Sequence, residues 1–158
     1  MKAHHVAIAL GGNLGQTEDT FHRALALLAD AGLASQRVSS WHRTAPVGCH
    51  LGTPDFLNGA VVGKWDGTPE SLLETTQRIE QALGRPAVHD SRGSRTIDLD
   101  ILLFDDLQLS RPALTIPHPR MLQRRFVLEP LAEIASDWLI PGYGKTVLQA
   151  WQELDSTL

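Results

Sequence analysis

With 158 residues, 42% of them apolar and 20% charged, the chain has the size and composition of one soluble domain with its own core, spanning 1–158. A formal net charge of −4 and a pI near 5.9 argue against a general nucleic-acid or membrane-surface binder, whose affinity would rest on clustered excess cation. Any anionic ligand must therefore meet local basic groups. Met1 to Leu10 lacks the length and cleavage pattern of a secretory signal. No window approaches the roughly 18 consecutive apolar residues of a membrane span. The single cysteine, Cys49, cannot close an internal disulfide, and the expectation is a cytoplasmic protein with no nucleic-acid or membrane partner.

In chain order, His5 to Leu10 forms a short apolar run ending at Gly11-Gly12-Asn13, which predicts a strand followed by a turn. From Thr17, Phe21, Ala24, Leu25 and Leu28 recur at helical spacing, with Glu18 and Asp19 in the first turn and Gly32 after the end. Ser35 to Thr44 and Leu57 to Trp65 are rich in Val, Ser, Thr and Trp and predict a second and third strand, separated by a Pro/Gly-rich loop from Ala45 to Asp55. Pro69 opens a second helix, whose face carries Leu72, Ile79 and Leu83 and which stops at Gly84. Gly84 to Ser94 reads as a surface loop, and Ile97 to Phe104 is the clearest strand. The order β-α-β-β-α-β predicts an α+β, ferredoxin-like sandwich: an antiparallel sheet with two helices on one face. Phe126 to Ala135 and Thr146 to Leu154 add C-terminal helices.

Asp98-Leu99-Asp100 lies inside the last of these strands, where the period of two puts both carboxylates on one face with Cβ atoms roughly 7 Å apart. Two acids on a strand of Ile, Leu and Phe are costly without a counter-charge, so a metal or an arginine is expected beside them. A strand with one solvated face explains the pattern equally well. If a metal binds, magnesium is favoured over zinc, because neither Cys nor His accompanies the acids at ligand spacing. Arg85, Arg92 and Arg95 precede the pair and Arg120, Arg124 and Arg125 follow it, a concentration suited to polyphosphate plus metal. The glycine segment matches neither a P-loop nor a dinucleotide fingerprint. No G-x-S-x-G, H-E-x-x-H or Cys-His signature is present, so nucleophilic and zinc-hydrolytic classes lose weight. Of seven histidines only His118, in Pro117-His118-Pro119-Arg120, has a distinctive setting; most of the others are expected to face solvent.

GGNLG at 11–15, RTAPVG at 43–48, PDFLN at 54–58, IE at 79–80, GR at 84–85, RTIDLDILLF at 95–104, PHPR at 117–120 and RRFVLEPLAEIA at 124–135 together resemble the 6-hydroxymethyl-7,8-dihydropterin pyrophosphokinases, in that family's order and nearly its spacing. The resemblance implies transfer of pyrophosphate from MgATP to hydroxymethyl-dihydropterin, giving AMP, by a monomer whose ligands are these small molecules. It makes Asp98 and Asp100 the ligands of two magnesium ions, and Arg85 and Arg95 catalytic loop arginines that close over the phosphates. Glu80, Arg92, Ile101, Thr115, His118 and Arg124 fall on the nucleotide side, although Ile101 could equally be a core residue acting through its backbone. Phe56 and Phe126 match the aromatic positions that sandwich the pterin, Asn58 the amide that reads its edge, and Thr44, Pro46 and Val47 the pocket-lining loop. The chain departs from the family pattern before RT-DLD, where Arg85-Pro86-Ala87 and Arg92-Gly93-Ser94-Arg95 lack a second arginine and a tryptophan. A slower enzyme, one acting on a modified pterin, or a divergent binding paralogue would follow from a looser lid, and fold alone would also permit an interaction domain. No second folate-pathway enzyme fits in this length.

Overall fold

The computed structural model describes residues 3–13, 17–44, 56–84 and 97–156. Strand β1 (His4–Asn13) leads through helix α1 (Thr17–Ala31) to β2 (Ala34–Val38), β3 (His42–Thr44) and β4 (Phe56–Trp65). Helix α2 (Pro69–Ala82) then precedes β5 (Asp98–Phe104). The sheet is antiparallel throughout in the order β2-β4-β1-β5, with β3 also paired to β4, and this is the split β-α-β arrangement expected from the sequence. Two short hairpins follow, β6 (Leu109–Arg111) with β7 (Leu114–Ile116) and β8 (Leu139–Ile140) with β9 (Lys145–Thr146). Between and after them stand α3 (Arg125–Ala135) and α4 (Val147–Ser156). Among the described residues no helix is long and apolar enough to cross a membrane.

Alternation along β1 divides the interior in two. Val6, Ile8 and Leu10 join Phe21, Leu28, Leu72 and Ile79 beneath α1 and α2, whereas Ala7 and Ala9 face Val127, Leu128, Leu131 and Val147 of α3 and α4. The sheet is therefore covered on both faces, and its small alanines let α3 lie close. α2 begins at a reciprocal cap: Thr68 Oγ1 accepts the Ser71 amide and Ser71 Oγ accepts the Thr68 amide, each at 3.0 Å, with Pro69 in the first turn.

Three local departures from the sequence reading shape the site. The expected turn at Gly11-Gly12-Asn13 is instead the end of β1, because β4 extends to Phe56 and offers these residues partners: Gly11 pairs with Asn58, Gly12 with Leu57 and Asn13 with Phe56. The single strand expected over 35–44 is broken at Ser39-Ser40-Trp41. Ser39 nonetheless stays tied to β4, its amide donating to the Ala60 carbonyl and its hydroxyl accepting the Ala60 amide, both at 2.9 Å. Trp41 crosses Gly59 so closely that a Cβ there would lie 2.4 Å from the indole. Third, the register between β1 and β5 shifts so that Ala7 pairs with Leu103 and Ile8 with Ile101, leaving Leu102 as an extra residue. Leu102 and Leu103 both enter the α3 and α4 side, and below the bulge Leu99 and Ile101 face α1 and α2. Asp98 and Asp100 consequently share the α3 face, as the period of two requires.

Candidate active site

Four residues form one row across the sheet. His42 of β3 is opposite Asn58 of β4, Asn58 is opposite Gly11 of β1, and Gly11 is opposite Asp98 of β5. Neighbouring strands lie about 4.8 Å apart, so the row runs about 14 Å from the strand bearing the imidazole to the strand bearing the carboxylate. All four line a cleft of about 1070 Å³ between the sheet and the first turns of α3, together with Thr44, Phe56, Asp100, Arg124, Phe126 and Glu129. Gly11 contributes no side chain, and the row is bare at that point.

One end of the cleft suits a flat polar ring. Phe56 on the sheet and Phe126 on α3 remain 36% and 39% exposed, and both face the same space, which is an unusual expense of apolar surface unless a ligand covers it. Asn58, on the same strand as Phe56, is buried, and its Nδ2 donates to Thr44 Oγ1 at 2.9 Å. With one N–H held there, the amide keeps its carbonyl oxygen and second N–H for a ligand edge. A Cβ at Gly11 would stand 3.4 Å from Asn58 Oδ1, so the glycine leaves that oxygen uncovered.

The other end is charged. Asp98 and Asp100 open on the cleft from β5, and Arg124 faces them from the start of α3, its guanidinium carbon 5.5 Å from the Phe126 ring centroid. His118 is fixed next to β5 by its amide, which donates to the Leu102 carbonyl at 3.0 Å. Its Nδ1 accepts the Arg120 amide at 3.2 Å, which leaves Nε2 as the protonated nitrogen of the neutral ring. Burial pushes this imidazole below its ordinary value and Arg124 and Arg120 add to the shift, against the opposing pull of Asp100. The ring is thus a neutral donor close to both an acid and a guanidinium.

The sequence candidates divide between this cleft and other parts of the fold. Thr44, Phe56, Asn58, Asp98, Asp100, Arg124 and Phe126 line it. Ile101 is buried in the core beneath α1 and α2, and Glu80, only 6% exposed, bonds to the strand backbone from that same side. Thr115 sits on β7, paired with Ser110. Pro46, Val47, Arg85, Arg92 and Arg95 lie outside the described residues, as do Cys49 and the altered loop at Ala87 and Ser94.

Residues 7–136 match the family model described as 7,8-dihydro-6-hydroxymethylpterin-pyrophosphokinase, HPPK. The chain belongs to this family. A 2-amino-4-hydroxy-6-hydroxymethyldihydropteridine pyrophosphokinase of Synechocystis is 43% identical over 157 residues, which cover 99% of this chain and 79% of the relative. A Bacillus subtilis protein of the same name is 48% identical over 129 residues, covering 80% and 75%. The HPPK-DHPS protein of Plasmodium falciparum, in a triple mutant crystallised with SDX-DHP, superposes with a TM-score of 0.77 over 98% of this chain at 16% identity, which establishes a shared fold. This chain spans 45% of that longer protein.

Within this HPPK family member the structure also adds residues that the sequence reading passed over. His42 is not singled out by the sequence, which leads most histidines other than His118 to be expected in solvent, yet it is half-buried and lines the cleft. Counting back two from Thr44 along the strand would have placed it on the pocket face. Glu129 lines the cleft one turn after Arg125, which it meets at 3.5 Å. Glu133, a turn further on, accepts hydrogen bonds from the Ser40 amide and hydroxyl at 2.9 Å and faces His42 Nε2. These contacts tie α3 to the break between β2 and β3.

Proposed function

We infer that this protein transfers the terminal pyrophosphate of ATP to 6-hydroxymethyl-7,8-dihydropterin, giving the pterin diphosphate and AMP as a step of folate biosynthesis. Family membership supports the reaction class, and the observation that carries the reading for this chain is the row His42, Asn58, Gly11, Asp98. A planar heteroaromatic covering Phe56 and Phe126 and reading Asn58 with its polar edge would lie over the bare Gly11 position. Its hydroxymethyl arm would then point along the row towards Asp98 and Asp100.

The hydroxymethyl oxygen attacks the β-phosphorus, the bond from that phosphorus to the α,β-bridging oxygen breaks, and AMP leaves with the bonding electrons while the hydroxyl proton passes to solvent. Asp98 and Asp100 would hold magnesium, and their chemistry fits it. Two hard carboxylates on one strand face, with no group of three or more His, Cys, Asp or Glu among the described residues, suit an ion that keeps waters and takes phosphate oxygens. When bound, magnesium supplies charge neutralisation and alignment of the polyphosphate; two ions is the number the family resemblance implies. Arg124 offers a fixed positive charge to the phosphates. In this reading Arg85 and Arg95 close over them, Glu80, Arg92, Ile101, Thr115 and His118 shape the nucleotide side, and Thr44, Pro46 and Val47 complete the pterin pocket. The protein acts as a cytoplasmic monomer, and residues 1–158 form one pyrophosphokinase domain.

The test is nucleotide product analysis with ATP, magnesium and the pterin. AMP that forms only when pterin is present is the expected result. ADP in place of AMP, or AMP formed equally without pterin, would overturn the reading.

A further inference from the structure

His42 is the far member of the cross-strand row, directly opposite Asn58. Directly opposed residues carry Cβ atoms about 4.5–5.5 Å apart, so the imidazole and the Asn58 amide are neighbours on the cleft floor. Three strand spacings separate this end from β5, which places His42 at the ring end of the site and away from the phosphates.

One nitrogen of the ring is committed. Nε2 faces Glu133 Oε2 and lies 3.3 Å from Ser40 Oγ. Glu133 also accepts the Ser40 amide at 2.9 Å and the Ser40 hydroxyl at 2.9 Å. Although burial opposes it, these donors and His42 hold the carboxyl below its ordinary range, so Glu133 is an ionised group that can only accept. Nε2 must therefore carry the hydrogen between them. In the neutral ring Nδ1 is then a lone-pair acceptor, and among the described residues no protein donor meets it.

We propose that His42, held by Glu133 with its hydrogen on Nε2, is a specificity-determining residue that accepts a hydrogen bond through Nδ1 from the 2-amino side of the pterin. This rests on the pterin reading given above. A 2-amino-4-oxo ring presents two adjacent donors, the exocyclic amine and the neighbouring ring N–H; Asn58 Oδ1, beside Gly11, can accept one of them, and His42, directly opposite Asn58 on β3, offers Nδ1 to the other. A site that hydrogen-bonds a substrate N–H rejects the analogue that lacks it, because its own polar group is left unmet.

The experiment measures binding, independently of turnover, of 6-hydroxymethyl-7,8-dihydropterin and of the analogue without the 2-amino group, by titration calorimetry in the presence of magnesium and a non-hydrolysable ATP analogue. The parent protein prefers the amino compound. His42→Phe weakens the amino compound by about 10-fold and leaves the deaminated one nearly unchanged, collapsing the preference. His42→Asn, whose amide oxygen can stand where Nδ1 stood, keeps most of it, and Glu133→Gln, which no longer fixes the hydrogen on Nε2, loses it. Unfolding midpoints confirm that each variant is folded; should His42→Phe not fold, the His42→Asn and Glu133→Gln pair carries the comparison. Equal weakening of both compounds, or none, overturns the assignment while leaving the pyrophosphokinase reading intact. Failure of the parent protein to bind the amino compound overturns that reading and this assignment with it.

Discussion

Glu80 Oε2 accepts the backbone amide of Leu99 at 2.8 Å, so a carboxylate from α2 grips β5 at the residue between Asp98 and Asp100. The bond lies on the α1 and α2 side of the sheet, opposite the cleft. Removing it leaves a buried N–H without its acceptor, which costs about 1–3 kcal/mol. Glu80→Ala is expected to lower the unfolding free energy by that amount and to slow AMP formation through looser placement of the two aspartates. Glu80→Gln, which retains a carbonyl oxygen for Leu99, should recover part of both. Denaturant unfolding beside steady-state rates separates the cases: a stability loss with an unchanged rate would mean that the grip does not position the acids.

Asp98→Asn and Asp100→Asn keep side-chain size and remove the negative charge. Each is expected to lower AMP formation by about 10²- to 10³-fold, the usual scale for deleting one member of an electrostatic site. Pterin binding at the other end of the row should survive. An Asp100→Asn protein with parental rates at saturating magnesium would exclude that carboxylate as a metal ligand.

Phe126→Ala uncovers one side of the ring slot and releases the contact with Arg124. Base–aromatic stacking contributes about 1–3 kcal/mol, so the pterin Kd should rise about 10- to 100-fold. ATP affinity measured in the same buffer should move far less. A larger effect on ATP would assign Phe126, with Arg124, to the nucleotide.

The legible parts of the site were those set by local periodicity. The shared face of Asp98 and Asp100 follows from a period of two, and both helix stops at Gly32 and Gly84 follow from glycine, which adopts φ values of 122° and 118° there. The family resemblance supplied Phe56, Asn58 and Phe126 as pocket residues. The row was not legible, because register between β3, β4, β1 and β5 depends on non-local pairing and on the extra residue at Leu102. A local count from Thr44 could put His42 on the pocket face, but its adjacency to Asn58 appears only once the strands are paired. The hairpins of β6 with β7 and β8 with β9 were missed because strands of two or three residues are too short to show alternation.

Gly59 illustrates a constraint visible only in three dimensions. A Cβ at this position would stand 2.4 Å from Trp41, whose ring also packs edge-on against Phe21 at a centroid distance of 4.9 Å and lines the cleft. Gly59→Ala is expected to lose about 1–3 kcal/mol of stability by overpacking. Because the displaced indole belongs to the residue next to His42, pterin affinity should fall as well. Pairing Gly59→Ala with Trp41→Leu should restore stability, and thermal unfolding of the single and double variants checks it. Additive losses would show that the clash is relieved elsewhere.

Glu133 ties acid sensitivity to the same corner of the molecule. Burial would raise its pKa, but the Ser40 amide, His42 and the Ser40 hydroxyl more than offset that and bring it below the ordinary value of 4.5. A carboxyl that is more acidic in the folded state than in the unfolded chain stabilises the fold above the unfolded value, and this contribution disappears as pH falls through the folded one. The parent protein should therefore lose stability as pH falls from about 5 towards 3, with Asp105, lowered by His4 and the His5 amide against burial, contributing its own share. Glu133→Gln removes the first of these contributions and leaves that of Asp105. Its unfolding midpoint should lie below that of the parent at pH 7, and the gap should narrow steadily between about pH 5 and 3, where the parent carboxylate becomes protonated. A gap of constant size over that window would show that the bonds to Ser40 and His42 do not depend on the charge of Glu133, and the fixed hydrogen on His42 Nε2 would lose its physical basis.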